Sequence, residues 1–218
     1  MEKFKPSYIG SRNDILKLIP HGIRRVLDVG CSTGTLGESI KRRIGAEVVG
    51  IELDEEMAKI AKLKLDRVIV EDVEVIELKN YYPFKYFDCI VFADVLEHLK
   101  DPWKVLKETT KFLSDDGIVV ASIPNVRHWD TIFNLVFKGY WPYRERGIHD
   151  KTHLRFFTLK NIKELFQSSN LQIIRIERKY RIIEGPHKLG IINVLSKYFA
   201  LLFLKEFLTF QYLVVAKK

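Results

Sequence analysis

Four groups of residues have types and spacings that could do chemistry. The first is Val26-Leu27-Asp28-Val29-Gly30-Cys31-Ser32-Thr33-Gly34-Thr35-Leu36-Gly37, an apolar run that enters a glycine turn and continues into a helical pattern. Glycines at such a turn let the backbone bend sharply and come close to a ligand. A dinucleotide fingerprint asks for Gly-x-Gly-x-x-Gly, and Ser32 between Gly30 and Gly34 fits it poorly. The second is Gly50-Ile51-Glu52-Leu53-Asp54, where Glu52 ends the next apolar run and could accept two hydrogen bonds from ribose hydroxyls. Glu71-Asp72-Val73-Glu74 follows the third run in the same way.

The other two groups carry histidine. In Ala93-Asp94-Val95-Leu96-Glu97-His98-Leu99, a helical turn would put Asp94, Glu97 and His98 on one face at i, i+3 and i+4. Three roles stay open for His98: a general base, a ligand in a divalent-metal site completed by a second histidine, or a residue that packs the turn. Residues 140–158 gather Tyr140, Trp141, Tyr143, several arginines, His149 and His153. Such a mixture could stack on a ring and pair with phosphate or carboxylate, or it could be a loop pinned by its own aromatics.

These residues need a scaffold, and the hydropathy pattern supplies one. Strands are expected at 25–30, 47–52, 67–70, 87–92, 118–123, 171–176 and 210–216. Helices are expected at 11–19 (capped by Ser11), 34–43, 55–65, from 102 to about 116, and 158–168, while 125–157 shows no regular period. Strands that alternate with helices build a parallel sheet covered on both faces. Ligands of such sheets bind beyond the carboxyl ends of the strands, where the residues above would converge.

The glycine turn, Glu52 and Asp72 in this order resemble motif I and its successors in the class I S-adenosylmethionine-dependent methyltransferases, with Ser32 departing at the middle glycine. The resemblance covers residues from about 25 to 113. It implies a Rossmann-like, doubly wound, mostly parallel seven-stranded sheet with an antiparallel last strand, and S-adenosylmethionine as cofactor. The cofactor would rest on Asp28, Gly30, Cys31, Gly34, Glu52, Leu53, Asp72, Val73 and Ala93, with Asp72 against the adenine amino group and Val73 along the ring. Asp94-x-x-Glu97-His98 is similar to the E-x-x-E-H arrangement of small-RNA 2'-O-methyltransferases and ubiquinone-pathway O-methyltransferases, which is linked to metal there. The run Asp150-Lys151-Thr152-His153-Leu154-Arg155-Phe156-Phe157-Thr158 resembles a signature of methyltransferases associated with glycosyltransferases and cell-envelope glycan assembly. It makes His149 and His153 candidates for base or acceptor binding beside His98 of the preceding turn, with a sugar or sugar nucleotide as acceptor.

Bulk properties narrow the remaining choices. A 47% hydrophobic and 29% charged chain is neither disordered nor collagen-like, and 218 residues suit one domain, with insertions at about 125–157 and 180–209. Cys31 and Cys89 give no disulfide pattern, and no signal-like apolar stretch opens the sequence, so a cytoplasmic location is expected. The net charge of +8 is spread over scattered lysines and arginines and does not by itself call for nucleic acid. The apolar stretch 191–208 is interrupted by Lys197, Lys205 and Glu206 and is too short to span a bilayer; it is expected in the core, at a homodimer interface or against a membrane surface. An RNA methyltransferase, a non-catalytic cofactor-binding module and a nicotinamide dehydrogenase are the competing functions.

Overall fold

Successive residues of the central strands point into two different cores. In β1 (Arg25–Val29), Leu27 and Val29 join one cluster and Val26 the other; in β4 (Phe87–Ala93), Ile90 and Phe92 face one way and Cys89 and Val91 the other. A strand buried on both faces must lie inside a three-layer stack. The computed structural model describes residues 12–181 and 204–218 and has that architecture. Its seven-stranded sheet has the order β3-β2-β1-β4-β5-β7-β6, completed by β2 (Glu47–Glu52), β3 (Arg67–Val70), β5 (Leu113–Pro124), β6 (Gln172–Tyr180) and β7 (Thr209–Lys217). β7 runs antiparallel between β5 and β6, and the pairs from β3 to β5 are parallel.

Helices cover the two faces unequally. On one side lie α1 (Asn13–Leu16), α2 (Thr35–Ile44) and α3 (Glu55–Ala61), which bury Ile15, Leu36, Ile40 and Ala61. On the other, α4 (Pro102–Thr109) and α6 (Leu159–Ser168) bury Val105, Leu106, Ile162, Leu165 and Phe166. Local signals start these helices. Asp54 accepts from the Met57 amide at 2.9 Å, Asp101 from Lys104 at 3.0 Å with Pro102 in the first turn, and Thr158 with Asn161 forms a capping box.

The structure departs from the sequence pattern in four places. α4 ends at Thr109 instead of near residue 116, because Leu113 already pairs with Phe87 and opens β5. Asp115, Asp116 and Gly117, which looked like a helix stop, form an irregularity inside that strand, where Lys85 pairs with Asp115 at 2.8 Å. α3 is shorter than 55–65 and α1 shorter than 11–19. The segment 125–157, expected to be irregular, contains α5 (Trp129–Lys138), capped by His128. Its apolar side chains defeat a periodicity search because Leu135, Val136 and Phe137 are consecutive and exposed, not gathered on a buried face.

Ser11, the opening residues and 191–203 lie outside the described residues. The end of that apolar stretch is described: Lys205–Leu208 is one helical turn leading into β7. Among the described residues, no helix is long and apolar enough to cross a membrane.

Candidate functional site

β1, β2 and β4 end side by side, and the loops that follow them enclose a cleft of about 690 Å³. The glycine turn forms its floor. Gly30, Ser32 and Gly34 all take left-handed backbone conformations, with φ of 67°, 50° and 72°. The middle position is therefore a serine in a region glycine occupies freely, at a cost of roughly 1–2 kcal/mol. Glu52 holds it there: one carboxylate oxygen accepts from the Ser32 amide at 2.7 Å, the other from the Asp54 amide at 2.9 Å. The Gly30 and Cys31 amides both donate to the Ile51 carbonyl, tying the turn to β2. Gly50 beneath it leaves no room for a side chain, since a methyl group there would strike the Cys31 sulfur.

Of the residues expected around the cofactor, Asp28, Gly30, Cys31, Glu52, Leu53 and Ala93 line this cleft. Gly34 does not; it starts α2 and packs against Ala61 and Leu65. Asp72 and Val73 also lie outside the lining. The Asp72 carboxylate accepts from the Glu74 amide at 2.8 Å, and Val73 rests on the core beside a second, smaller groove. Arg12 and Met57, which no motif marks, complete the wall together with Thr152 of the 150–158 run. Arg12 arrives because α1 is held on α2, with the Arg43 guanidinium donating to the Leu16 and Ile19 carbonyls.

Asp28 is 1% exposed, and one of its oxygens has no hydrogen-bond partner among the described residues. Burial, reinforced by the Glu52 charge and opposed by Arg12, pushes its carboxyl up to about 7. Raised above the ordinary carboxylate value, the group binds a proton in the folded protein that the unfolded chain has already released. Folding stability from this group therefore falls as pH rises from about 4 to about 7. A cationic ligand reverses the preference by favouring the ionised form.

The histidine cluster lies at the end of β4. The chain turns at Asp94, with φ of 59°, and only Leu96–His98 forms a single 3-10 turn. The common face expected for Asp94, Glu97 and His98 is thereby lost. Asp94 is engaged by Arg12, Gln211 and Ser122. His153 takes its place: its ring meets that of His98 edge-on at 4.6 Å. The loop that carries it is stitched to the turn, as the Leu154 and Arg155 amides both donate to the Glu97 carbonyl at 2.9 Å and the Arg155 side chain donates to Lys100.

Glu97 is 1% exposed, and neither carboxylate oxygen has a hydrogen-bond partner among the described residues. Burial and the nearby Asp94 charge raise its carboxyl well above the usual range. Burial and His98 push His153 down to about 4, so its imidazole is neutral at working pH. Ligand atoms of Glu97, His98 and His153 lie within 4.8 Å of one another, close enough to share a metal ion. His149 is not brought to the cleft. It is fully buried, 3.0 Å from the Thr131 hydroxyl and edge-on to Trp141, where it anchors α5 to the following loop.

The methyltransferase domain family matches residues 7–176, three-quarters of the sequence. This chain is a member of that family. As a class I methyltransferase, it takes S-adenosylmethionine as its cofactor. The ubiquinone biosynthesis O-methyltransferase of Psychrobacter cryohalolentis is 32% identical over 166 residues, covering 72% of this chain and 62% of that protein. The demethylmenaquinone methyltransferase of Listeria welshimeri is 25% identical over 205 residues, covering 80% and 86%. The methyltransferase spans about three-fifths of the length of the ubiquinone-pathway relatives it matches. In fold it resembles a crystallised S-adenosylmethionine-dependent methyltransferase from Archaeoglobus fulgidus, with a TM-score of 0.68 at 23% identity over 97% of this chain and 96% of that one.

The cofactor of this family carries both an ammonium and a sulfonium, and a positive charge bound in the cleft would favour the ionised Asp28 carboxyl. Affinity for S-adenosylhomocysteine, which keeps the ammonium, is expected to drop about tenfold per pH unit below 7 and to level off above it. Calorimetry at pH 6 in buffers of different ionisation heat should show nearly one proton released on binding. Equal affinity and no proton release at pH 6 would mean that Asp28 stays protonated in the complex.

Proposed function

We propose that this chain methylates an oxygen of a small-molecule acceptor bound beyond the ends of β4 and β5, with His98 taking the acceptor proton. The observation that carries the reading is the placement of His98 in the wall of the cofactor cleft, paired with His153 and adjoining Glu97. Methyl transfer from a sulfonium is an in-line displacement, so the domain has to align the acceptor and remove its proton. A neutral imidazole suits a hydroxyl, which must lose its proton as it is alkylated.

The names of the ubiquinone-pathway relatives, which are O-methyltransferases, favour a hydroxyl on a quinone-type ring over the sugar acceptor that residues 150–158 bring to mind. They also favour a small molecule over RNA. The two acceptor classes separate in one assay, in which methyl-labelled S-adenosylmethionine is supplied with catechols, hydroxylated quinol analogues or sugar nucleotides. Label on an aromatic hydroxyl supports the quinone-type reading; label on a sugar hydroxyl supports the glycan reading. Transfer to amines alone overturns O-methylation.

The buried Glu97 carboxyl, beside two imidazoles and without a hydrogen-bond partner among the described residues, supports a second reading, in which Glu97, His98 and His153 hold a divalent ion. A bound ion would lower the pKa of the acceptor hydroxyl. Turnover lost to a chelator and restored by magnesium or zinc would favour it.

A further inference from the structure

Proton accounting around His98 leads beyond the assignment of a base. The Thr152 hydroxyl has one proton, and it donates that proton to Asp150 Oδ1 at 2.6 Å. Toward His98 Nδ1, 3.1 Å away, the same hydroxyl oxygen can then only accept. The Thr152 carbonyl, 3.3 Å from the same nitrogen, is an acceptor under any circumstances. Nδ1 therefore faces two acceptors and must carry the hydrogen. The chain is anchored at its far end, since Asp150 is buried and its Oδ1 also accepts from the Thr152 amide at 2.9 Å.

We propose that Asp150 and Thr152 are a positioning pair that fixes the tautomer and ring orientation of His98, leaving the lone pair on Nε2 to receive the acceptor proton. The logic is that of a carboxylate orienting a base through its second nitrogen, with a hydroxyl relay inserted between them. In the transfer, the acceptor oxygen bonds to the methyl carbon as the carbon–sulfur bond breaks. The acceptor proton passes to Nε2, and S-adenosylhomocysteine leaves neutral at sulfur. The positive charge that arrived on sulfur ends on an imidazolium whose Nδ1–H points through Thr152 toward the Asp150 carboxylate. Among the described residues, Glu97, His153 and, in the same cleft wall, Asp94 with Arg12 are further ionisable groups around the ring.

The inference rests on His98 acting as the base, and its test separates the two ideas. Nitrogen-15 NMR of the S-adenosylhomocysteine complex, with the His98 signal assigned by its loss in H98Q, reads the tautomer directly. The wild-type protein should show hydrogen on Nδ1. Thr152→Val, at an exposed position, should shift the population toward Nε2–H and lower kcat by about tenfold to a hundredfold without moving cofactor affinity. Thr152→Ser, which keeps the hydroxyl, should restore both the tautomer and the rate. An Nδ1–H signal and a kcat in Thr152→Val that both match wild type would overturn the pair, and so would a Thr152→Ser variant as slow as the valine one. Full activity in His98→Ala would instead remove the base reading, while the tautomer measurement would still decide what Thr152 does.

Discussion

Replacing Glu52 with alanine is expected to weaken S-adenosylmethionine binding by about 30-fold, or ~2 kcal/mol. Two losses combine. The carboxylate at the end of β2 is the group that would hold the ribose hydroxyls, and hydrogen bonds to a charged acceptor are the stronger kind. It also accepts from the Ser32 and Asp54 amides, so its removal frees a serine held at φ of 50° and lets the glycine turn relax. Calorimetry with S-adenosylmethionine and S-adenosylhomocysteine checks the effect. Glu52→Gln, which retains an acceptor oxygen at lower charge, should fall between wild type and alanine. Affinity in Glu52→Ala equal to wild type would contradict the placement of the cofactor in this cleft.

His98→Ala is expected to lower kcat by about 10²- to 10³-fold, within the usual range for a positioned general base. Cofactor affinity should stay within about twofold, because His98 enters the cleft from the β4 side, across from the Glu52 loop that would hold the ribose. His153→Ala should also slow turnover, by less, since its neutral ring acts on the acceptor or on His98. Steady-state rates with separate titration of both substrates would show the split. Wild-type rates in both variants would remove acid–base chemistry from these histidines.

The cofactor half of the cleft was legible because its parts are local. A turn with three left-handed residues, a strand-end carboxylate and a helix start are each set by a few neighbouring residues, and the parallel sheet brings successive strand ends together. Asp28, Gly30, Cys31, Glu52, Leu53 and Ala93, expected at the cofactor from the sequence, line one cavity. Gly34 packs at the start of α2, while Asp72 and Val73, in the loop after β3, turn to the Glu74 amide and the core; a loop position does not reveal which way a side chain points.

The reaction half was legible only as a set of residue types. Asp94, Glu97 and His98 have helical spacing, yet the chain turns at Asp94 and Arg12 joins Ser122 and Gln211 in holding that side chain. None of those three partners is near Asp94 in sequence. His149 and His153 stand four residues apart; one is sealed beneath Trp141 and the other meets His98. Their separation follows from α5 and from the bonds of Leu154 and Arg155 to the Glu97 carbonyl, contacts made across more than fifty residues.

By itself the sequence determined the layer architecture, the glycine turn and the strand-end carboxylate, because strand periodicity, turn stereochemistry and helix capping act over short stretches of chain; that Glu52 braces the Ser32 amide was decided by the tertiary structure. Only the tertiary structure decided which histidines share the cleft, that Asp94 is tied to Arg12, and that Asp150 reaches His98 through a hydroxyl. Those outcomes depend on which distant segments end up hydrogen-bonded to each other, and that is settled by packing the whole sheet and its covering loops.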